Sequence, residues 1–185
     1  MDLLLFVHRV ADVTPGLYVL VRDPARRETL EGAMDRAFAW TPAEACEASL
    51  PLFLLEAGDA RRVAQQTSCD QSIAADGAFA AAMLAEYRPS LEAFGPWHYR
   101  RLHWEAGVIG QILYLEAEAS GLRGTGIGCF FDDLTHGVFG LAGDRFQVLY
   151  HFTVGGPVDD PRLQTHPPYQ HLARADEGQR LQCSD

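Results

Sequence analysis

The stretch GTGIGCFFDD, Gly124 to Asp133, sets three alternating glycines ahead of a cysteine, two phenylalanines and two aspartates. Glycine at that density costs backbone entropy, so something must approach the chain closely there. A dinucleotide fingerprint has the order G-x-G-x-x-G between a strand and a helix. Here the order is G-x-G-x-G after a long helical pattern, a poor match. A phosphate-binding P-loop needs a lysine, and the chain has none; Schiff-base and lysine-base mechanisms fall with it. Two readings of the glycines stay open: a loop whose backbone amides face a flat or anionic ligand, and a glycine-rich helix-to-strand connection.

Other side chains near this stretch could also do chemistry. Cys129 is a nucleophile only beside a general base, and its sequence neighbours supply none, so a small loop residue is the favoured reading. Asp132, His136 and His151 could be drawn as a metal site. Favoured instead are a capping role for Asp132, a partly exposed His136 and a hydrogen-bonded core or pocket role for His151. Gln71, in the segment SCDQSIAADGAF, can donate and accept hydrogen bonds; a polar residue at a helix start is the equal alternative. Cys46, Cys69, Cys129 and Cys183 form no C-x-x-C pair, which points to free thiols in a reducing compartment.

The elements that must position these residues follow from periodicity and punctuation. Residues 3–10 and 17–22 read as two strands of a hairpin turning at Pro15-Gly16. Asp23 and Pro24 open a helix carrying Leu30, Met34 and Ala37. Residues 50–57 are a strand, and Asp59 can cap the helix that follows. The stretch 72–86 is helix by its alanines and breaks toward strand at Gly77. The clearest helix spans 96–120, from Pro96 to the residue before Gly121. One stripe is Leu102, Ala106, Ile109, Leu113, Ala117; a second is Trp104, Val108, Ile112, Leu115, Ala119. Two stripes imply a helix covered on most sides. Gly107 and Gly110 inside it cost about 1 kcal/mol each against alanine, which suggests close backbone approach by another element, a partner helix being one candidate. Asp132 or Asp133 caps a short helix ending near Gly140, residues 146–154 form the last strand, and the rest is an extended tail.

At 185 residues the chain is expected to be one domain, 1–185. A net charge of −10 argues against nucleic acid and anionic membranes as partners. No apolar run reaches membrane-spanning length, and the start lacks the features of a signal peptide. A soluble, cytoplasmic protein is the expectation.

The stretches EAGVIGQILYLEAEASGLRGTGIGCFFDD and LYHFTVGGPVDDPRL resemble the C-terminal part of the nitroreductase family, most closely its SagB-type branch, the azoline dehydrogenases and their relatives. The resemblance runs from about Leu3 to Tyr169 and is strongest over 104–162. It implies an α+β fold, a mostly antiparallel sheet packed on a long central helix, with that helix at a homodimer interface. It implies an FMN cofactor whose ring faces the loop of Gly126, Ile127, Gly128 and Cys129, with Gln71 near the flavin pocket. Arg162 in DDPRL is implied as a phosphate contact, since arginine binds phosphate bidentately, and Arg123 as a weaker one. The arginine- and serine-rich segment with which the family begins is absent, so the domain reads as N-terminally incomplete. The lysine–tyrosine pair of the azoline dehydrogenases is replaced by Ala93-Phe94, and the histidine and asparagine of the family's long helix by Val108 and Ile112.

Two functions from different classes follow. One is an FMN-dependent oxidoreductase moving hydride between a reduced donor such as NAD(P)H and a small-molecule or peptide substrate. The other is a flavin-free dimeric domain that binds a ligand or partner, a degenerate copy or part of a larger two-copy protein.

Overall fold

The computed structural model describes residues 1–44, 46, 47 and 49–172. Cys183 lies outside them. Apolar runs near the N-terminus form β1 (Asp2–Val7) and β2 (Gly16–Leu20), paired from Leu3↔Leu20 to Val7↔Gly16. The expected hairpin is present, but residues 8–15 connect it and Gly16 already belongs to β2. The Asp23 side chain accepts from the Ala25 N–H and starts a 3-10 turn, Pro24–Arg26, that runs into α1 (Arg27–Ala33). Leu30 and Met34 are buried, while Ala37 lies beyond the helix and is exposed. The chain continues through β3 (Thr41–Pro42), β4 (Leu52–Ala57) and α2 (Arg61–Thr67), where Asp59 Oδ1 accepts from the Arg61 N–H at 3.1 Å. The ambiguous 72–86 stretch divides at Gly77 into α3 (Ile73–Asp76) and β5 (Phe79–Glu86). A short helix that the periodicity did not suggest, α4 (Tyr87–Phe94), precedes the long α5 (Tyr99–Ala119). Then come β6 (Arg123–Ile127), α6 (Asp132–Phe139) and β7 (Phe146–Gly155).

The seven strands form one sheet in the order β3-β4-β2-β1-β5-β7-β6, every pairing antiparallel. The α+β class expected from the sequence is therefore observed. Strand alternation divides the core. Leu4, Phe6, Val19 and Ala82 face one side with Leu30 of α1, Ala64 of α2 and Phe139 of α6. Leu3, Met83, Phe152 and Val154 face the other, under Leu102, Ala106, Ile109 and Ala117 of α5.

A register shift between Met83 and Leu84 pairs them with Tyr150 and Val148, leaving Leu149 as an extra residue. This bulge reverses the facing of β7 beyond it. Phe146 and Val148 pack with α1, α2 and α6, whereas Tyr150, Phe152 and Val154 pack with α5.

Helix α5 departs from expectation in one respect. Its first stripe is buried apart from the half-buried Leu113, but Trp104, Val108, Ile112 and Leu115 stand 60%, 60%, 52% and 59% exposed. Within one chain the helix is covered on a single side. Its two glycines also differ. A Cβ on Gly110 would meet Met83 and Phe152 at 3.9 Å, so this glycine faces the sheet; a Cβ on Gly107 would meet nothing within 4 Å.

Candidate functional site

The glycine stretch is a strand through Ile127 and a loop only from Gly128. This corrects the loop reading of Gly124 and Gly126, and the reason is local. On β6, an edge strand, Gly124 and Gly126 point to the α5 side, opposite Val154 and Phe152. A Cβ on Gly124 would lie 2.7 Å from Phe152 Cζ, and one on Gly126 would lie 2.5 Å from the Tyr150 hydroxyl. The protein's own rings thus lie across the strand where side chains are missing. Tyr114 of α5 completes the cover: its ring meets Phe152 edge-on at 4.8 Å, and its hydroxyl accepts from the Gly126 N–H at 2.7 Å.

Beyond the strand, Gly128 and Cys129 are exposed. No described residue accepts a hydrogen bond from either of their N–H groups. A Cβ on Gly128 would come only within 3.8 Å of Tyr150 Cε2, so the chain itself gives this glycine no steric reason. The segment between α2 and α3 fixes the loop. Phe131 N–H donates to the Thr67 carbonyl at 2.8 Å. Gln71 Nε2 donates to the Cys129 carbonyl at 3.0 Å and to the Ser68 carbonyl at 2.9 Å. Cys69 and Asp70 of that segment have φ of 59° and 55°, left-handed backbone that L side chains rarely adopt.

Behind the loop sits a buried polar pair. The bulge in β7 turns His151 away from α5, so that its Nδ1 lies 3.0 Å from Ser68 Oγ and its Nε2 3.4 Å from Thr135 Oγ1. The Phe130 ring stacks on the imidazole at 4.7 Å. Burial pushes the His151 pKa down to about 4, opposed only weakly by Asp132. His136, expected to be partly exposed, is buried, and its Nε2 accepts from the Val148 N–H at 3.2 Å. Strand β6 ends its pairing at Ile127↔His151, so the histidine takes a donor that the edge strand does not reach. Neither aspartate caps α6. Its N-cap is Phe131, Asp132 Oδ1 accepts from the adjacent Asp133 N–H, and Oδ2 accepts from Gln147. Gly140 ends that helix in left-handed conformation, φ 67°, as a C-terminal cap.

Of the residues the sequence nominated, Gly128, Cys129 and Gln71 meet at the exposed loop, whereas Ile127 is buried in the core and Gly126 lies under Tyr150 with its N–H bonded to Tyr114. Arg162 is not: its guanidinium binds Asp160 at 2.6 Å, and its side chain stands 87% exposed on the tail. Arg123 pairs with Glu118 and lines a separate cavity of about 330 Å³ with Asp76 and Asp159. Toward the flavin that the resemblance implies, the N–H groups of Gly128 and Cys129, which no described residue accepts from, suit the polar edge of a ring; among the described residues no arginine bonds to this stretch. Sequence reasoning missed the contacts of Ser68 and Thr135 with His151 and the meeting of Cys69 with Cys129. Only the polar run TSCDQS hinted at the former.

No family model matches the chain, and no curated protein matches it. Solved structures do. A candidate nitroreductase from Anabaena variabilis superposes with a TM-score of 0.64 at 23% identity, over 85% of this chain and 27% of that one. The Escherichia coli microcin synthetase McbBCD complex, with truncated pro-MccB17 bound, gives 0.57 at 16% identity, over 86% and 52%. A candidate nitroreductase from Ralstonia eutropha gives 0.55 at 14% identity, over 86% and 59%. The chain thus spans about a quarter of the first protein's length and between half and three fifths of the other two. At these identities the likeness defines architecture: the chain has the nitroreductase fold, an antiparallel sheet packed on the long helix α5.

Proposed function

We propose that the chain is an FMN-binding oxidoreductase domain of nitroreductase type that works as a homodimer. The observation that carries this reading is the exposed pair of backbone N–H groups at Gly128 and Cys129, which bond to no described residue, on a fold shared with candidate nitroreductases. Gln71 fixes the Cys129 carbonyl and so aims the loop. Gly128 leaves space for a flat ring, and the two N–H groups would hydrogen-bond its polar edge. Bound flavin supplies hydride acceptance and donation, while the protein supplies position and electrostatics. The substrate is a small organic molecule or a peptide, and NAD(P)H is the proposed donor. A relationship to the SagB-type branch is part of this proposal, and the fold shared with the microcin synthetase complex agrees with it. A cytoplasmic setting suits the free thiols of Cys46, Cys69 and Cys129. Fluorescence titration of FMN with the full chain tests the proposal: saturable quenching supports it, and unchanged FMN emission refutes it.

A second reading, a flavin-free dimeric domain that completes a larger enzyme, is favoured by the exposed stripe on α5 and by Arg162 standing apart from the loop. It predicts dimers in light scattering with no FMN bound.

A further inference from the structure

Two cysteines far apart in sequence meet at the loop just described. The turn carrying Cys69 and the loop carrying Cys129 are tied by the Phe131-to-Thr67 bond at 2.8 Å and by the Gln71 bond to the Cys129 carbonyl at 3.0 Å. The two thiols lie near enough to interact, and the interaction with Cys129, ahead of burial, raises the Cys69 pKa. Cys69 and Asp70 hold consecutive left-handed backbone, φ 59° and 55°, and strain of this kind gathers at functional sites. Cys129 is exposed and Cys69 half-buried, so an oxidant can reach the pair. Cys46 belongs to a different cluster, beside Tyr18 and Leu52.

We propose that Cys69 and Cys129 are an oxidation site that closes to a reversible disulfide and clamps the 68–71 turn onto the 128–131 loop. The oxidant class is a hydroperoxide, with hydrogen peroxide as the simplest member. The Cys129 thiolate attacks the O–O bond; an S–O bond forms, the O–O bond breaks, and hydroxide leaves to be protonated to water. The Cys69 thiolate then attacks the sulfenic sulfur; the S–S bond forms, the S–O bond breaks, and a second water leaves. Two thiols give up two electrons and two protons, and one peroxide becomes two waters. A dithiol reverses the bond by exchange. This chemistry does not depend on bound flavin, so its test reads independently of the functional proposal.

The test uses the full chain with Cys46→Ser and Cys183→Ser, treated with one equivalent of hydrogen peroxide. Expected are loss of both reactive thiols, a mass lower by two hydrogens, a cross-linked peptide joining residues 69 and 129, and recovery of both thiols with dithiothreitol. Adding Cys69→Ser should leave Cys129 as a sulfenic acid that dimedone traps. The native chain should form the bond faster than the same chain in concentrated urea, because the fold holds the thiols together. Three results would overturn the proposal. They are a Cys129 sulfenic or sulfinic acid beside a persistent Cys69 thiol, a disulfide linking two chains, and equal rates in native and unfolded protein.

Discussion

Gly124, Gly126 and Gly128 share a pattern in the sequence and have different causes in the structure. The first two lack side chains because Phe152 and Tyr150 cross the strand there; at the third a Cβ would make only an ordinary contact with Tyr150, at 3.8 Å. Gly124→Ala should therefore destabilise the fold by about 1–3 kcal/mol through overpacking against a fully buried ring. Pairing it with Phe152→Leu should recover part of that loss, read as non-additivity in urea unfolding. The alternation of these glycines is the period of a strand, so β6 was legible in principle. The rings that cover it were not, because the bulge in β7 decides which residues face them. His151 owes its place to the same bulge. Its pKa is lowered by burial from 6.5 to about 4, so the neutral form is the one that folds. The stability this provides is complete above pH 6.5 and lost as pH falls toward 4, by about 3 kcal/mol at most. Urea titrations at pH 7.5 and 4.5 should show that loss, and His151→Gln should show a smaller difference between the two pH values. His8 and His136, also buried with lowered pKa, add to the slope in the same direction.

Among the elements, α5 was the most legible, because a 3.6-residue period sustained over five turns admits no strand. Its buried stripe matches the sequence reading residue for residue except for Leu113, which is half-buried. Its second stripe shows the limit of periodicity: the pattern marks apolar residues without saying what covers them. A contiguous face of Trp104, Val108, Ile112 and Leu115 is large for the surface of a monomer. Ile112→Glu puts a charge in the middle of that face without touching the core beneath α5. It should convert a dimer to a monomer in light scattering with little change in monomer secondary structure by circular dichroism. An unaltered dimer would place the interface elsewhere. Helix α4 escaped the reading because it buries no residue fully and carries Pro89, so it has neither a clear stripe nor an uninterrupted run of helix formers. The division at Gly77 was visible because its backbone runs against Thr153 and Val154, where a Cβ would lie 2.5 Å from the Thr153 hydroxyl.

At the scale of the whole molecule, strand order was the least legible property. Neighbours such as β1 and β5 are separated in the chain by three α-helices and three strands, and local propensity carries no information about such pairings. The likeness of motifs pointed to the correct architecture where periodicity alone pointed only to its parts. The site divides in the same way. Gly128, Cys129 and Gln71, nominated through that likeness, lie together, while Ile127 is in the core, Gly126 is covered by Tyr150, and Arg162 is held by Asp160 on the tail. If the proposed function holds, a loop to which no described arginine bonds should hold FMN weakly. No helix among the described residues is long and apolar enough to cross a membrane. The most direct measurement is FMN fluorescence titration of the parent chain beside Gly128→Val, with a thermal melt of each. The account predicts saturable quenching by the parent, none by Gly128→Val, and similar melting temperatures, because the valine has room in the protein and none beside a ring. Equal FMN binding by both proteins, or none by the parent, would contradict it.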